Sequence, residues 1–430
     1  MNERTLSPAH TTSNEAAGAV GEAPSFLPVL LGSGANAYGL ARGFHKEFGV
    51  ASLAVGPAIL LQCRYSRYVD TRVIPDLTDE DRFVLRLMRL ADDLEATVPG
   101  RRLLLIACGD TTAALLARHR DAIRKRYATA TVDGPTLERA VDKVAFWRLC
   151  DEAGVDTPAT AAYSTADFKA GRPVPEPSDF PLELKAADSV QYLGIEFEGR
   201  KKAYTIRTRE ELNQVAKAIY TAGYDGDLVI QEFIPGDDTE MRTLNAYVNM
   251  DGTIAMMCMG HPIMEEYAPS RIGNYAAIMS EGDDEVYRQC AKLLETLHYT
   301  GFANFDIKRD PRDGSYRFLE INPRMGGSSD FTTCAGYNLA AYIGRDLILG
   351  ERRPTELCFT RHLWLGTSKD VFRRYAPDGP VKQEAMNLIA RGEWSRSAHD
   401  AHDTNLRRAL ELLRWQMAVA RDFKRYAPRR

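Results

Sequence analysis

The stretch GFANFDIKRDPRDGSYRFLEINPRMGGSS, residues 301–329, reads as a β-hairpin with acidic side chains on one face. Its central DPRDG run is rich in residues that favour turn dihedrals. Because strand side chains alternate between two faces, Glu320 and Asn322 share one face of the second strand. A turn on the DPRDG run places Asp306 of the first strand opposite Glu320, with Cβ atoms roughly 4.5–5.5 Å apart.

Two carboxylates at that separation repel each other unless a proton or a cation lies between them. With the amide oxygen of Asn322 they form a set of hard oxygen ligands, which suits Mg²⁺ bound together with substrate phosphates. Arg324 follows closely and can meet a phosphate or a carboxylate. The competing interpretation is a half-buried hairpin with a solvated polar face, which is common in antiparallel sheets. The hairpin residues alone leave both interpretations open.

The length and charge of the chain limit its class. A chain of 430 residues suits two or three packed lobes. Its net charge of −4 argues against a general nucleic-acid binder. Residues 351–430 hold 17 Lys and Arg against 10 Asp and Glu, so this segment carries +7 and the rest −11. The basic segment docks on the acidic body, is simply solvated, or meets an anionic substrate or membrane surface.

The cysteines and the termini indicate a cytoplasmic protein. Seven cysteines, an odd number without a C-x-x-C pair, are typical of reduced thiols rather than disulfides or a zinc site. Residues 1–25 predict a disordered tail without the apolar core of a signal peptide. No apolar run approaches the ~18–20 residues that span a bilayer. We therefore expect no transmembrane segment, and a homodimer stays open.

Strands and helices alternate over residues 26–135, which predicts a parallel, Rossmann-like α/β lobe. Gly32-Ser33-Gly34 lies at a strand–helix junction, but Ala37 holds the place of the third fingerprint glycine. A tight turn and a phosphate contact therefore both remain open there. Ligands of such sheets bind at the carboxyl ends of the strands, which makes candidates of Gly34, Asn36 and Asp110.

The string Glu320-Ile321-Asn322-Pro323-Arg324, with an acid fourteen residues upstream, resembles the metal-binding hairpin of the ATP-grasp superfamily. In that family the acid, the Glu and the Asn hold one or two Mg²⁺ on ATP, and Mn²⁺ is expected to substitute. The resemblance implies that Asp306, Glu320 and Asn322 are metal ligands. It also implies a catalytic role for Arg324, which faces the reacting group.

Two lysines extend the resemblance to the phosphates of ATP. Lys143 follows Asp142 at a helix start, and Lys185 ends the strand FPLELK, as in ATP-grasp enzymes. The ammonium group of each would act as a point charge on phosphate. The segment after Lys185 departs from the family pattern because it holds only two glycines where many members have a glycine-rich loop.

The string LVIQEFI followed by Pro-Gly resembles the hinge between the ATP-grasp subdomains. The resemblance implies that Glu232 and Ile234 contact adenine and that Asp238 or Glu240 holds the ribose. Arg271 lies in a loop expected over the cleft, residues 261–274. We predict that it clamps a phosphate or a substrate carboxylate, and the alternative is an ordinary surface arginine.

The resemblance implies an α/β fold, α+β overall, in which an N-terminal lobe precedes an ATP-grasp domain over 136–350. Its lid is expected over 158–226. A basic, largely helical C-terminal extension follows over 351–430. Within it, a stripe at helical spacing predicts a face docked on the body: Leu406, Leu410, Leu413, Met417 and Ala420.

The implied activity is an ATP-dependent ligase. Such an enzyme activates a small-molecule carboxylate as an acyl phosphate and joins it to an amine, releasing ADP and phosphate. The strings IPGDD, MR, GNY and EINPR are most similar to the D-aspartate ligase type, which acts on a peptidoglycan precursor peptide. The alternatives are a ligase of a small peptide-like metabolite and a non-catalytic nucleotide-binding protein.

Overall fold

The N-terminal part of the chain forms a parallel sheet. The computed structural model describes residues 25–188, 191–192, 194–269 and 271–428, so the predicted tail, apart from Ser25, lies outside the described residues. Five parallel strands lie in the order β3-β2-β1-β4-β5. They are β1 (Phe26–Leu31), β2 (Ser52–Gly56), β3 (Val69–Val73), β4 (Arg102–Ala107) and β5 (Tyr127–Ala128). The helices are α1 (Ala35–Phe48), α2 (Glu80–Thr97), α3 (Asp110–Arg118), α4 (Arg120–Ile123) and α5 (Gly134–Val141).

The predicted α/β lobe is therefore confirmed, and its central strands explain the glycine run. Gly32 follows β1 with φ near 143°, and a Cβ there would lie 2.9 Å from the Cβ of Cys108. The glycine thus permits the close approach of the chain segments that leave β1 and β4. The starts of α1 and α3 consequently lie side by side at the carboxyl edge of the sheet.

A second, antiparallel sheet follows, with strand order β6-β9-β7-β8. Its helix α8 begins at the capping residue Thr208 and buries Leu212, Ala216 and Ile219. The elements of this region are α6 (Lys143–Ala153), β6 (Thr160–Tyr163), α7 (Thr165–Lys169), β7 (Leu182–Ala186), β8 (Tyr204–Ile206), α8 (Arg209–Thr221) and β9 (Leu228–Glu232).

The third sheet has the order β14-β13-β10-β11-β12-β16-β17, and β15 pairs with β11. Its strands are β10 (Met241–Val248), β11 (Ile254–Glu265), β12 (Tyr275–Glu281), β13 (Gly301–Arg309), β14 (Tyr316–Asn322), β15 (Glu356–Leu357), β16 (Leu363–Leu365) and β17 (Trp394–Arg396). Its helices are α9 (Asp284–Thr296), α10 (Asp330–Cys334), α11 (Leu339–Gly344), α12 (Lys369–Tyr375), α13 (Pro380–Arg391) and α14 (Leu406–Tyr426), with a 3₁₀ turn at Asp238–Glu240 and a π turn at Arg345–Leu349. The loop expected at 261–274 begins later, because β11 continues to Glu265.

The C-terminal segment is mainly helical, and it also extends the third sheet through β16 and β17. Its predicted docking stripe is wrong. Leu406, Leu410, Leu413 and Met417 are 77%, 46%, 52% and 52% exposed. Periodicity shows that a helix has an apolar face but cannot show which of two faces meets the body. The buried face of α14 instead carries Arg408, Leu412, Val419 and Phe423.

Arg408 anchors this last helix. Its Nε lies 3.2 Å from Oδ2 of the equally buried Asp403, and its guanidinium lies 4.4 Å from the ring centroid of Tyr38. It also donates hydrogen bonds to the carbonyls of Gln62 and Arg64. A charge buried this deeply needs such partners, so the contact fixes which face of α14 points inward. In the described part of the chain, no helix is both long and apolar enough to span a membrane.

Candidate active site

The hairpin of β13 and β14 carries the acidic cluster. Asp306 pairs with Glu320, and Asn304 pairs with Asn322, as the turn position predicted. Nearer the turn Ile307 pairs with Phe318, so Leu319 is an extra residue in β14. Without this bulge the register near the turn would place Leu319 opposite Asp306. The bulge therefore turns Glu320 towards Asp306, which is a known use of bulges beside active sites.

The carboxyl group of Asp306 is buried beside that of Glu320. Burial, followed by the charge of Glu320 and a hydrogen bond with it, raises the pKa of Asp306 well above its usual range. The ionised form of Asp306 is disfavoured here, because it is buried and repelled by the charge of Glu320. A cation between the two carboxylates would remove the repulsion. Carboxylate and amide oxygens are ligands that Mg²⁺ accepts, so the donor set fits the expected metal.

Phosphate oxygens would have to supply other ligands. Nowhere in the described ranges do three His, Cys, Asp or Glu side chains come close enough to hold a metal ion by themselves. This agrees with a site of two carboxylates and one amide, since Mg²⁺ commonly binds through one or two carboxylates plus substrate phosphates.

Arg324 links the hairpin to the N-terminal sheet. Its Nε donates to Oδ1 of Asp110 at 2.7 Å, and one terminal nitrogen donates to the carbonyl of Met325 at 3.1 Å. Asp110 is the first residue of α3, at the carboxyl edge of the parallel sheet. The candidate residue Asp110 thus orients the guanidinium of Arg324, whose side chain is 16% exposed.

A cavity of about 600 Å³ opens beside these groups. Its lining includes the three predicted metal ligands and the two predicted catalytic arginines: Asp306, Glu320, Asn322, Arg324 and Arg271. The Arg271 terminal nitrogen lies 3.4 Å from Oε2 of Glu266, and burial raises the pKa of Glu266. Gly34 and the small residues 326–328 also line the cavity. The cavity therefore combines two guanidinium groups with the carboxylate pair.

The two predicted phosphate lysines lie outside this lining but near each other. Lys143 Nζ donates to the carbonyls of Ala186 and Ala187 at 3.1 and 3.0 Å, directly after Lys185. Burial, and then the charge of Lys185, lowers the pKa of Lys143, while Glu320 opposes that shift. The charge of Glu320 therefore acts on Lys143, which indicates that the two lysines lie near the acidic hairpin.

The predicted hinge residues lie between the second and third sheets. Glu232 forms an ion pair with Arg312 and accepts a hydrogen bond from the Ala159 amide at 3.4 Å. Ile234 is buried, 5% exposed. Asp238 and Glu240 lie in the 3₁₀ turn that opens β10, and Glu240 lies 3.4 Å from Arg309.

Sequence reasoning missed two ionisable residues beside this turn. Burial, followed by the charge of Asp238, raises the pKa of Glu265 to about 7. Lys308 has its pKa lowered by burial, and its Nζ lies 3.4 Å from the carbonyl oxygen of Gly236. Lys308 shares the strand face of Asp306, so alternation could have identified it. Glu265 gave no such signal, because its segment reads as a loop.

The C-terminal segment also contributes unexpectedly to the cavity wall. Trp364, Gly366, Ser397 and Trp415 all line it. They come from β16, β17 and α14 or from residues directly beside these elements, beyond the region where the ATP-grasp likeness was visible in the sequence. The cavity wall is therefore built partly by the C-terminal segment.

The chain is similar to known ATP-dependent ligases along most of its length. The chain is 37% identical over 414 residues to the D-aspartate ligase of Enterococcus faecium (strain Aus0004), covering 95% of this chain and 96% of that one. It belongs to the D-aspartate ligase family of ATP-grasp carboxylate–amine ligases. A family described as ATP-grasp in the biosynthetic pathway with Ter operon matches residues 271–361.

Solved ATP-grasp structures share the fold. An ADP complex of N5-carboxyaminoimidazole ribonucleotide synthetase aligns with a TM-score of 0.58 and 11% identity, covering 94% of this chain and 98% of that chain. The biotin carboxylase domain of the 2-oxoglutarate carboxylase from Hydrogenobacter thermophilus, solved with MgADP, aligns with a TM-score of 0.56 and 16% identity. That alignment covers 78% of this chain and 72% of the other. The predicted ATP-grasp fold and ligase class are confirmed, and enzymes of this class use ATP with Mg²⁺.

Proposed function

We propose that this ligase joins D-aspartate to the side-chain amine of a peptidoglycan precursor peptide in the cytoplasm. The observation that carries the proposal is one cavity in which Arg271 and Arg324 stand beside the Asp306 and Glu320 carboxylates. A dicarboxylate substrate suits two guanidinium groups, because one can hold the spectator carboxylate while the other faces the reacting one. The likeness to the Enterococcus faecium enzyme supports the choice of D-aspartate. The seven cysteines, all free thiols, fit the proposed compartment.

The proposed reaction has two steps. A carboxylate oxygen of the amino acid attacks the γ-phosphorus of ATP, whose bond to the bridging oxygen breaks and leaves ADP. The amine nitrogen then attacks the acyl carbon, phosphate departs with the electron pair of the broken C–O bond, and the nitrogen loses a proton. Glu266 is a candidate for accepting that proton, because its raised pKa and its place in the cavity wall suit a general base.

We assign the nucleotide contacts to the residues identified from the sequence. Lys143 and Lys185 would neutralise phosphate charge, and Arg324 would stabilise the transferring phosphoryl group. Asp306, Glu320 and Asn322 would hold Mg²⁺, which when bound neutralises further charge on the phosphates, and Mn²⁺ is proposed to substitute. Glu232, Ile234, Asp238 and Glu240 would surround adenine and ribose.

The test is ADP release with D-aspartate, L-aspartate, D-glutamate and D-alanine, each with and without a peptide that carries a free lysine side chain. We expect release only with D-aspartate plus the peptide, and a product heavier by one aspartyl residue. Release with a different amino acid and a small amine would indicate the ligase of a peptide-like metabolite. Absence of release with every pair would contradict the proposed substrates.

A further inference from the structure

Helix α14 exposes an apolar stripe that no part of the described chain covers. Leu406, Leu410, Leu413 and Met417 follow one another at intervals of four and three residues, so they line one face of the helix. Each is between 46% and 77% exposed. Scattered exposed leucines are ordinary, but a continuous row of four large side chains on one helix indicates an interaction surface.

Cations flank the stripe and have no anionic partner among the described residues. Arg407, Arg414 and Arg421 follow the stripe along one side, and Lys424 and Arg425 stand near its end. Within residues 25–188, 191–192, 194–269 and 271–428, neither Arg414, Arg421 nor Lys424 forms an ion pair or a hydrogen bond through its side chain. Arg407 only overlies the Tyr65 ring, 6.0 Å from its centroid. The partner of this surface should therefore be both apolar and anionic.

A second copy of the helix does not meet that requirement. The four-and-three spacing is that of a coiled-coil seam, in which Arg407, Arg414 and Arg421 would all occupy the same flanking position. Antiparallel self-pairing would set these arginines against the arginines of the other copy. Parallel self-pairing would set Lys424, the seam residue that follows Ala420, against its own copy. Both arrangements place like charges together, which destabilises pairing.

The N-terminal end of the stripe is linked to a segment near the active-site cavity. Asn405, the capping residue of α14, donates from Nδ2 to the carbonyl of Tyr65 at 2.7 Å. Tyr65 is 48% exposed, and Leu60, which is 53% exposed, lies in the cavity lining. Trp415 lies on the opposite side of the same helix from the stripe, and it lines the cavity. Through Asn405 and Tyr65, the N-terminal end of the stripe is joined to the segment that carries Leu60 of the cavity lining.

We propose that this face of α14 docks on the surface of a bilayer that contains anionic phospholipid. A helix with leucines on one face and unpaired Lys and Arg beside them is the pattern of an interfacial helix that lies in the plane of the headgroups. Each cation near such a surface adds to the attraction between the helix and the anionic headgroups. Docking would hold the cavity rim at Leu60 close to the membrane without any spanning segment. This inference does not depend on the identity of the amino acid that is ligated.

The experiment measures co-sedimentation of the full chain with vesicles of phosphatidylcholine, with and without phosphatidylglycerol. We expect binding to the anionic vesicles that is at least tenfold tighter than to the neutral ones and that weakens with salt. One double variant combines Leu410→Glu with Leu413→Glu, and a second combines Arg414→Glu with Arg421→Glu. Each should bind the anionic vesicles roughly tenfold or more weakly than the wild type does. The matched controls Leu85→Glu, on the exposed face of α2, and Arg148→Glu, on α6, should bind like the wild type.

Two readouts keep the result interpretable. ADP release in solution should be unchanged in the four variants, because none of these side chains lines the cavity, and this shows that they are folded. Light scattering without lipid reports the oligomeric state. Absence of binding to anionic vesicles would overturn the proposal. Equal binding to both vesicle types would also overturn it. A dimer that forms without lipid, and that the Leu410→Glu, Leu413→Glu double variant converts to monomers, would show that the stripe binds a second copy of the chain instead.

Discussion

Replacing Glu281 by Gln tests how the third sheet holds the predicted nucleotide turn. Glu281 ends β12, and its Oε1 lies 2.6 Å from Nε of Arg242, with both side chains about a tenth exposed. His261 Nδ1 lies 3.5 Å from its other oxygen. Arg242 and His261 in turn hydrogen-bond the carbonyl of Thr239, in the turn that carries Asp238 and Glu240.

The pKa of Glu281 sets the expected magnitude. Burial alone would raise this pKa, but the hydrogen bond with His261 and the charges of Arg242, His261 and Arg361 lower it to about 2. Because the folded-state pKa lies below the unfolded one, ionised Glu281 stabilises the fold above about pH 4.5. A difference of about 2.5 units corresponds to about 3 kcal/mol at neutral pH. This stabilisation disappears as the pH falls from 4.5 through 2.

The assay is urea denaturation followed by tryptophan fluorescence, since Trp364 lies in β16 of the same sheet. At pH 7, Glu281→Gln should lower the free energy of unfolding by about 3 kcal/mol. Near pH 3 the difference from the wild type should shrink to roughly 1–2 kcal/mol, because Glu281 is protonated in the unfolded chain below about pH 4.5. Glu198→Gln, at an exposed glutamate, is the control. A loss below about 1 kcal/mol at pH 7, or one independent of pH, would refute the reasoning.

Further predictions concern the reaction itself. Asp306→Asn should abolish amino-acid-dependent ADP release, because the metal set loses a charged ligand, and unchanged release would contradict the metal assignment. Arg324→Ala should reduce kcat by roughly 10²–10³ with little effect on ATP affinity, whereas a change mainly in affinity would make Arg324 a nucleotide clamp. Lys185→Met should raise KM for ATP several-fold in a titration of ADP release, and an unchanged KM would remove it from the phosphate site. Chelation of Mg²⁺ should stop the reaction, which added Mg²⁺ then restores.

The sequence predicted the parts of the fold that follow from local periodicity. Alternation and the DPRDG turn predicted that Asp306 lies opposite Glu320, and the pairing of the two strands confirms it. The bulge at Leu319 that completes this opposition was not predictable, because nothing in the local pattern distinguishes an extra residue in a strand. The ATP-grasp fold was predicted from short strings, such as EINPR and FPLELK, that resemble those of the superfamily.

The missing parts depend on contacts between distant segments. The walls formed by Trp364 and Trp415 come from packing across the third sheet, for which the sequence offers no local signal. Helix α14 shows the same limit, because its stripe at Leu406 and its buried face at Leu412 have equally good periodicity. The burial of Arg408 decides which of the two faces points inward. Arg408 is buried because it pairs with Asp403 and lies over the ring of Tyr38, and the periodicity of α14 carries no information about these contacts.

The pair formed by Arg324 and Asp110 has a consequence for synthesis on the ribosome. Its two members are 214 residues apart, and Trp415 closes the cavity only near the end of the chain. A nascent chain can fold its parallel sheet early, yet the wall of the cavity is incomplete until Trp415 has been made. Chains that end before Trp415 should therefore hold the proposed phosphate and metal residues in a cavity that lacks part of its wall.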